Sequence, residues 1–207
     1  MTIQEYGNAS ANTILIQMVD DHDLEVIENE TRYIREYTAK NFRLLAVKVS
    51  DWNTDLSPWN APAVFGNEGF GAGAAETLEE VKKLCADSSK SYYIGGYSLA
   101  GLFALWTAYQ TDLFKGIAAA SPSIWFPGFP EYMKEHEIHT NSVYLSLGDK
   151  EAKARNPIMA TVADRIQEAC NRLKDHGVNC TLEWNPGNHF RDPDVRTAKA
   201  FAWVIDQ

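Results

Sequence analysis

Six short apolar runs punctuate the chain, at residues 13–19, 42–49, 92–95, 116–120, 143–147 and 178–184. Most are unbroken rather than alternating, the pattern of parallel strands covered on both faces. Between them the apolar positions take helical spacing. Val26, Ile27, Glu30, Tyr33, Ile34 and Tyr37 share one mainly apolar stripe, and Leu78, Val81, Leu84 and Cys85 a second. Val162, Ile166, Ala169, Cys170 and Leu173 form a third. A last helix starts near Pro193, a residue suited to a first helical turn, and carries Val195, Ala198, Phe201, Ala202 and Ile205. Six strands alternating with helices predict a three-layer α/β/α sandwich with about six mostly parallel strands, formed by residues 1–207 as a single domain. In such sheets function sits in the loops beyond the strands' carboxyl ends.

Two stretches, 51–73 and 121–140, carry no clear pattern but are rich in aromatics: Trp52, Trp59, Phe65 and Phe70 in one, Trp125, Phe126, Phe129 and Tyr132 in the other. Loops this long in a compact domain usually form lids or binding surfaces. Trp52, Trp59 and Trp125 are therefore expected to contact an apolar substrate group. Residues 70–74, Phe-Gly-Ala-Gly-Ala, read as a flexible hinge into the next helix.

Composition narrows the function. With 19 basic and 28 acidic residues the net charge is -9, a surface that repels phosphate backbones and anionic lipid, so nucleic acid is not an expected partner. No run approaches the roughly 18 apolar residues of a membrane span. Cys85, Cys170 and Cys180 are odd in number and lack metal-ligand spacing, so they are expected to be buried thiols, with neither metal nor disulfide. Residues 1–10 have neither a basic segment nor an apolar core, and a cytoplasmic protein is the expectation.

Chemistry concentrates after the third run, where Gly96-Tyr97-Ser98-Leu99-Ala100-Gly101 leads into an apolar helix. Strand, tight turn and helix are the context of a nucleophile elbow, which needs small residues two before and two after the serine. Gly96 and Ala100 meet that need, alanine replacing the second glycine. The turn would lift the Ser98 hydroxyl to a helix N-terminus and aim the Leu99 N–H at an incoming carbonyl oxygen. A neutral serine needs an imidazole to take its proton, and the imidazole a carboxylate to orient it. After the sixth run stands His189, in Asn-Pro-Gly-Asn-His; after the fifth stand Asp149 and Glu151. Glu151, three after Gly148, has the spacing of an acid turn and is preferred; Asp149, nearer the strand end, is the alternative. His136, His139 and His176 lie in polar stretches away from these loops.

Together these residues resemble the α/β-hydrolase superfamily, in the esterase branch that includes siderophore (enterochelin-type) esterases and esterase D. The matching segments are 96–101, Ala120-Ser-Pro-Ser-Ile-Trp-Phe126, 148–151 and 187–189, with 51–59 similar to a segment beside the active site of that branch. The resemblance implies a cofactor-independent serine hydrolase acting on a small-molecule ester, with Ser98, Glu151 and His189 as its triad. Passing the acyl group to an alcohol, or a fold kept for binding alone, are the alternatives. It also implies a second oxyanion donor after the first strand, at Asp21 or a neighbour, where many relatives carry Asp-Gly or His-Gly and this chain has Asp20-Asp21-His22. Siderophore esterases usually carry an arginine in the segment matching 51–58; its absence, with the acidic balance, favours a neutral ester. The nucleophile falling after the third strand implies that the first two strands usual in the superfamily are missing, with the aromatic loops as the only lid.

Overall fold

The computed structural model describes all residues 1–207. Seven strands form one sheet: β1 (Thr2–Gly7), β2 (Thr13–Val19), β3 (Phe42–Lys48), β4 (Ser91–Tyr97), β5 (Phe114–Ala120), β6 (Ser142–Gly148) and β7 (Asn179–Asn185), in the order β1-β3-β2-β4-β5-β6-β7. All pairings are parallel except β1 with β3. The six expected strands are present within a few residues of their predicted bounds. By making the strand before Ser98 the fourth, β1 corrects the expectation that the nucleophile follows the third strand with two strands missing before it. Its residues are exposed but for half-buried Tyr6, so it lies at the edge with no buried face to impose a pattern.

Alternating side chains of each inner strand feed two cores. Ile14, Ile16 and Met18 of β2 join the larger one, with Leu78 and Val81 of α3 (Ala74–Leu84), Leu102 and Phe103 of α4 (Leu99–Thr107) and Ile166 and Leu173 of α6 (Val162–Asp175). Leu15 and Val19 join the other, beneath Ile27 and Ile34 of α1 (Asp21–Tyr37) and Phe201 and Val204 of α7 (Pro193–Ile205). Those two faces make the three layers. No helix is long and apolar enough to cross a membrane. All three cysteines are free and buried.

The long loops hold two short helices the sequence did not announce, α2 (Trp52–Asp55) and α5 (Phe129–Glu135). The expected hinge at 70–74 is a packing contact. A Cβ on Gly71 would stand 2.6 Å from the Thr54 side chain, and one on Gly73 2.9 Å from the Thr54 carbonyl. Both glycine amides donate to α2 carbonyls, of Asn53 and Thr54, so this loop is fastened to α2.

Under α1 lies a buried polar pair. Gln17 Nε2 donates to Glu30 Oε2 at 3.2 Å, while Gln17 Oε1 and Glu30 Oε1 have no partner. One proton on Glu30 would supply the donor both oxygens lack. Burial, with Asp23 and Asp194 adding to it, raises the Glu30 carboxyl well above its ordinary range, against the lowering hydrogen bond from Gln17. A raised folded-state pKa means stability is complete below the unfolded-state pKa and is lost as pH rises toward the folded one. Within that window the loss runs at about 1.4 kcal/mol per pH unit. Glu30→Gln is expected to remove this component, so chemical denaturation between pH 5 and 8 should show a flatter stability profile for the variant. Equal slopes would refute a protonated Glu30.

Candidate active site

The strand order reverses between β2 and β4, the switch point at which open α/β sheets place their sites. Ser98 follows β4 there and heads α4 with φ 57° and ψ -117°. This left-handed conformation costs a non-glycine residue free energy of order 1–3 kcal/mol and persists only where its surroundings enforce it. They do so here. Ser98 N–H donates to the Ala120 carbonyl at 3.1 Å, and Ser123 N–H to the Ser98 carbonyl at 3.0 Å. The turn is as tight as its small residues suggest: a Cβ on Gly96 would lie 2.6 Å from that of Ala100.

His189 reaches Ser98 from the loop after β7. Its Nδ1–H donates to Glu151 Oε2 at 2.7 Å, a tautomer set by a carboxylate that can only accept. That leaves Nε2 to accept from Ser98 Oγ–H at 3.0 Å. Glu151 Oε1 takes the Gly148 N–H at 2.7 Å, the Ser121 hydroxyl at 2.9 Å and Arg196 Nη1 at 3.1 Å. Burial pushes the Glu151 carboxyl up. The His189 hydrogen bond and charge, with the Gly148 and Ser121 donors, more than reverse this and hold it below the ordinary carboxylate range. Asp149 is turned elsewhere. Its Oδ1 accepts the Gly187 N–H at 2.7 Å, pinning the turn that presents His189. Thus the two carboxylates weighed in the sequence occupy different places, and only Glu151 meets the ring.

A cavity of about 470 Å³ opens beside Ser98 and His189. Trp125 lines it, with Phe65, Leu147, Met159, Val162 and Phe190 among the apolar residues. Trp52 and Trp59 do not. Trp59 Nε1–H donates to the Pro127 carbonyl at 2.8 Å and its ring packs 5.3 Å from Tyr132 and 5.8 Å from Phe126, so it ties one aromatic loop to the other. Trp52 packs half-buried on the core from α2. The sequence reading missed the wall from residues 150–159, which carries Lys150, Lys153 and Met159 and is tied to the first aromatic loop by Asn156 Nδ2 donating to the Val64 carbonyl. It also missed Arg196. No group of His, Cys, Asp and Glu is arranged to hold a metal ion.

Leu99 and Asp21 are the first residues of α4 and α1, so helix geometry leaves both backbone N–H groups without an intrahelical partner. Asp20 caps α1 through its carboxylate to Asp23 N–H, while the exposed Asp21 carboxylate pairs with Lys48. His22 is exposed beside Glu25.

No family model and no curated protein sequence matches the chain, but solved structures do. An IroE-like serine hydrolase from Shewanella oneidensis superposes with a TM-score of 0.73 at 13% identity, over 97% of this chain and 74% of that one. The siderophore hydrolase EstA from Aspergillus nidulans gives 0.68 at 17%, over 97% and 85%. Esterase PE8 gives 0.59 at 20%, over 99% and 97%. The fold is that of the α/β hydrolases. Its structural neighbours are serine hydrolases and esterases, the branch that the sequence motifs resemble.

Proposed function

We propose that this chain is a serine esterase that cleaves a small carboxylic ester through an acyl-enzyme. The observation that carries the reading is the continuous chain of hydrogen bonds from Ser98 through His189 to Glu151, at 3.0 and 2.7 Å, opening on an apolar cavity. In this reading Ser98 Oγ attacks the ester carbonyl while His189 Nε2 takes its proton. His189 then returns the proton to the departing alkoxide, leaving acyl-Ser98. Water, activated by the same imidazole, releases the acid. Glu151 holds the ring and stabilises its cation. The Leu99 N–H and the Asp21 N–H are the proposed oxyanion donors; they head helices after the paired strands β4 and β2, each at the positive end of a helix dipole. No cofactor is invoked.

The cavity sharpens the substrate. Lys150 and Lys153 line it without ion-pair partners, and the only carboxylate there, Glu151, is already engaged by His189 and Arg196. The local charge is thus opposite to that of the chain, and favours an ester whose apolar group carries an anionic substituent over the neutral ester suggested by net charge. For chromogenic esters matched in size, KM is expected to be lower for the carboxylate-bearing one. Lys150→Gln with Lys153→Gln should erase about tenfold of that preference, an effect shrinking with salt. An unchanged preference would sink the lysines' role. The hydrolase reading itself is tested by turnover of such esters and by mass-shift labelling with a fluorophosphonate; a folded protein giving neither would overturn it.

A further inference from the structure

Arg196 stands in the first turns of α7, only 1% exposed, and its guanidinium makes five hydrogen bonds. Nη1 donates to Glu151 Oε1 at 3.1 Å, to Tyr97 Oη at 2.9 Å and to Ser121 Oγ at 3.3 Å. Nη2 donates to the carbonyls of Pro186 and Asn188, both at 3.1 Å. Tyr97 Oη–H in turn donates to the carbonyl of His189 at 2.8 Å. One planar cation therefore clamps the carboxylate, the loop that carries His189, the residue before Ser98 and the turn after β5. The clamp is closely fitted. A Cβ on Gly148 would lie 2.4 Å from the Gly187 carbonyl and 3.1 Å from Arg196 Nη1.

Resting on the esterase reading, we propose that Arg196 is a positioning residue that locks Glu151 and the His189 loop in register. Glu151 Oε2 orients the imidazole, so whatever fixes the carboxylate also fixes the ring. The guanidinium on the other carboxylate oxygen does this, holding His189 Nε2 where it accepts from Ser98. The other titratable or charged groups around His189 are Tyr97, its ring 5.1 Å away, Lys150 and Lys153 on the cavity wall, Asp149 beneath the Gly187 amide and Arg191 over the same glycine. None of these touches the carboxylate.

The test combines two variants with a readout that does not need turnover, the downfield NMR resonance of the His189 Nδ1 proton bonded to Glu151. In Arg196→Gln that resonance is expected to broaden or move upfield as the carboxylate loosens. Arg196→Lys keeps the charge but not the fork, so kcat should fall about 10–100-fold at constant KM through misplacement. An unmoved resonance in folded Arg196→Gln, or wild-type kcat in Arg196→Lys, would overturn the proposal. Should Arg196→Gln fail to fold, the Arg196→Lys rate and resonance still decide it. Were wild type inactive and unlabelled, the esterase reading would fall, while the resonance still judged the clamp.

Discussion

Ser98→Ala is expected to lower kcat by about 10⁶ and to abolish fluorophosphonate labelling, with folding intact. The size follows from the unit behaviour of nucleophile and base: without Oγ, His189 has no proton to take and Glu151 no cation to stabilise. The neighbouring hydroxyl cannot substitute. Ser123 Oγ lies 3.3 Å from Ser98 Oγ, but it is buried, and the only hydroxyl bonded to His189 Nε2 is that of Ser98. Alanine accepts the left-handed backbone about as poorly as serine, so the thermal midpoint should move little. Intact-mass analysis after labelling, beside a melting curve, checks both halves. A labelled Ser98→Ala protein would place the nucleophile elsewhere.

Glu151→Gln should cost about 10⁴ in kcat, and Asp149→Asn no more than about tenfold. The asymmetry is geometric. Three donors converge on Glu151 Oε1, so the glutamine carbonyl must turn to them and its NH2 must face His189 Nδ1. An NH2 there forces the ring to accept at Nδ1 and carry its proton on Nε2, the wrong tautomer to receive the serine proton. In Asp149→Asn, by contrast, the amide carbonyl still accepts the Gly187 N–H. Glu151→Gln also strands the buried Arg196 charge, and losing one partner of a buried pair costs about 3–5 kcal/mol. Because the Glu151 pKa is depressed by folding, its contribution is complete above the unfolded value near 4.5 and is lost as pH falls through the folded one. The stability gap between wild type and variant should therefore narrow below about pH 4. A larger rate loss for Asp149→Asn would reverse the assignment.

The parts of this architecture that announced themselves are those where burial writes a pattern. β2 to β6 are inner strands and β7, at the far edge, packs beneath α6, so their apolar runs were legible, as were the stripes of α1, α3, α6 and α7. Ser98, His189 and the two carboxylates were legible by type and order, because strand ends bring loops distant in sequence to one edge. What stayed hidden had no local signature. β1 tucks only Tyr6 partly against the core, and α2 and α5 are too short to repeat a period. Trp59 looked like a substrate contact because composition says nothing of direction, and its indole N–H is satisfied by Pro127. Arg196 interrupts the apolar stripe of α7 where an arginine ordinarily faces solvent. Its burial exists only because Glu151 and two carbonyls from other loops await it. Lys150 and Lys153 on the cavity wall were missed because their segment has no apolar periodicity.

The Arg196 clamp also fixes when the site can come into being. Its bonds join residues 99 positions apart to Tyr97 and 45 apart to Glu151, and Ser98 meets His189 across 91. Contacts that distant must wait for the intervening strands to pair, and they slow folding. During synthesis, β1 to β6 can emerge and collapse while Glu151 is still without its guanidinium. Only when α7 docks does the carboxylate acquire its guanidinium. On the proposed reading, competence for chemistry therefore depends on the sheet being paired from β4 to β7 with α7 in place.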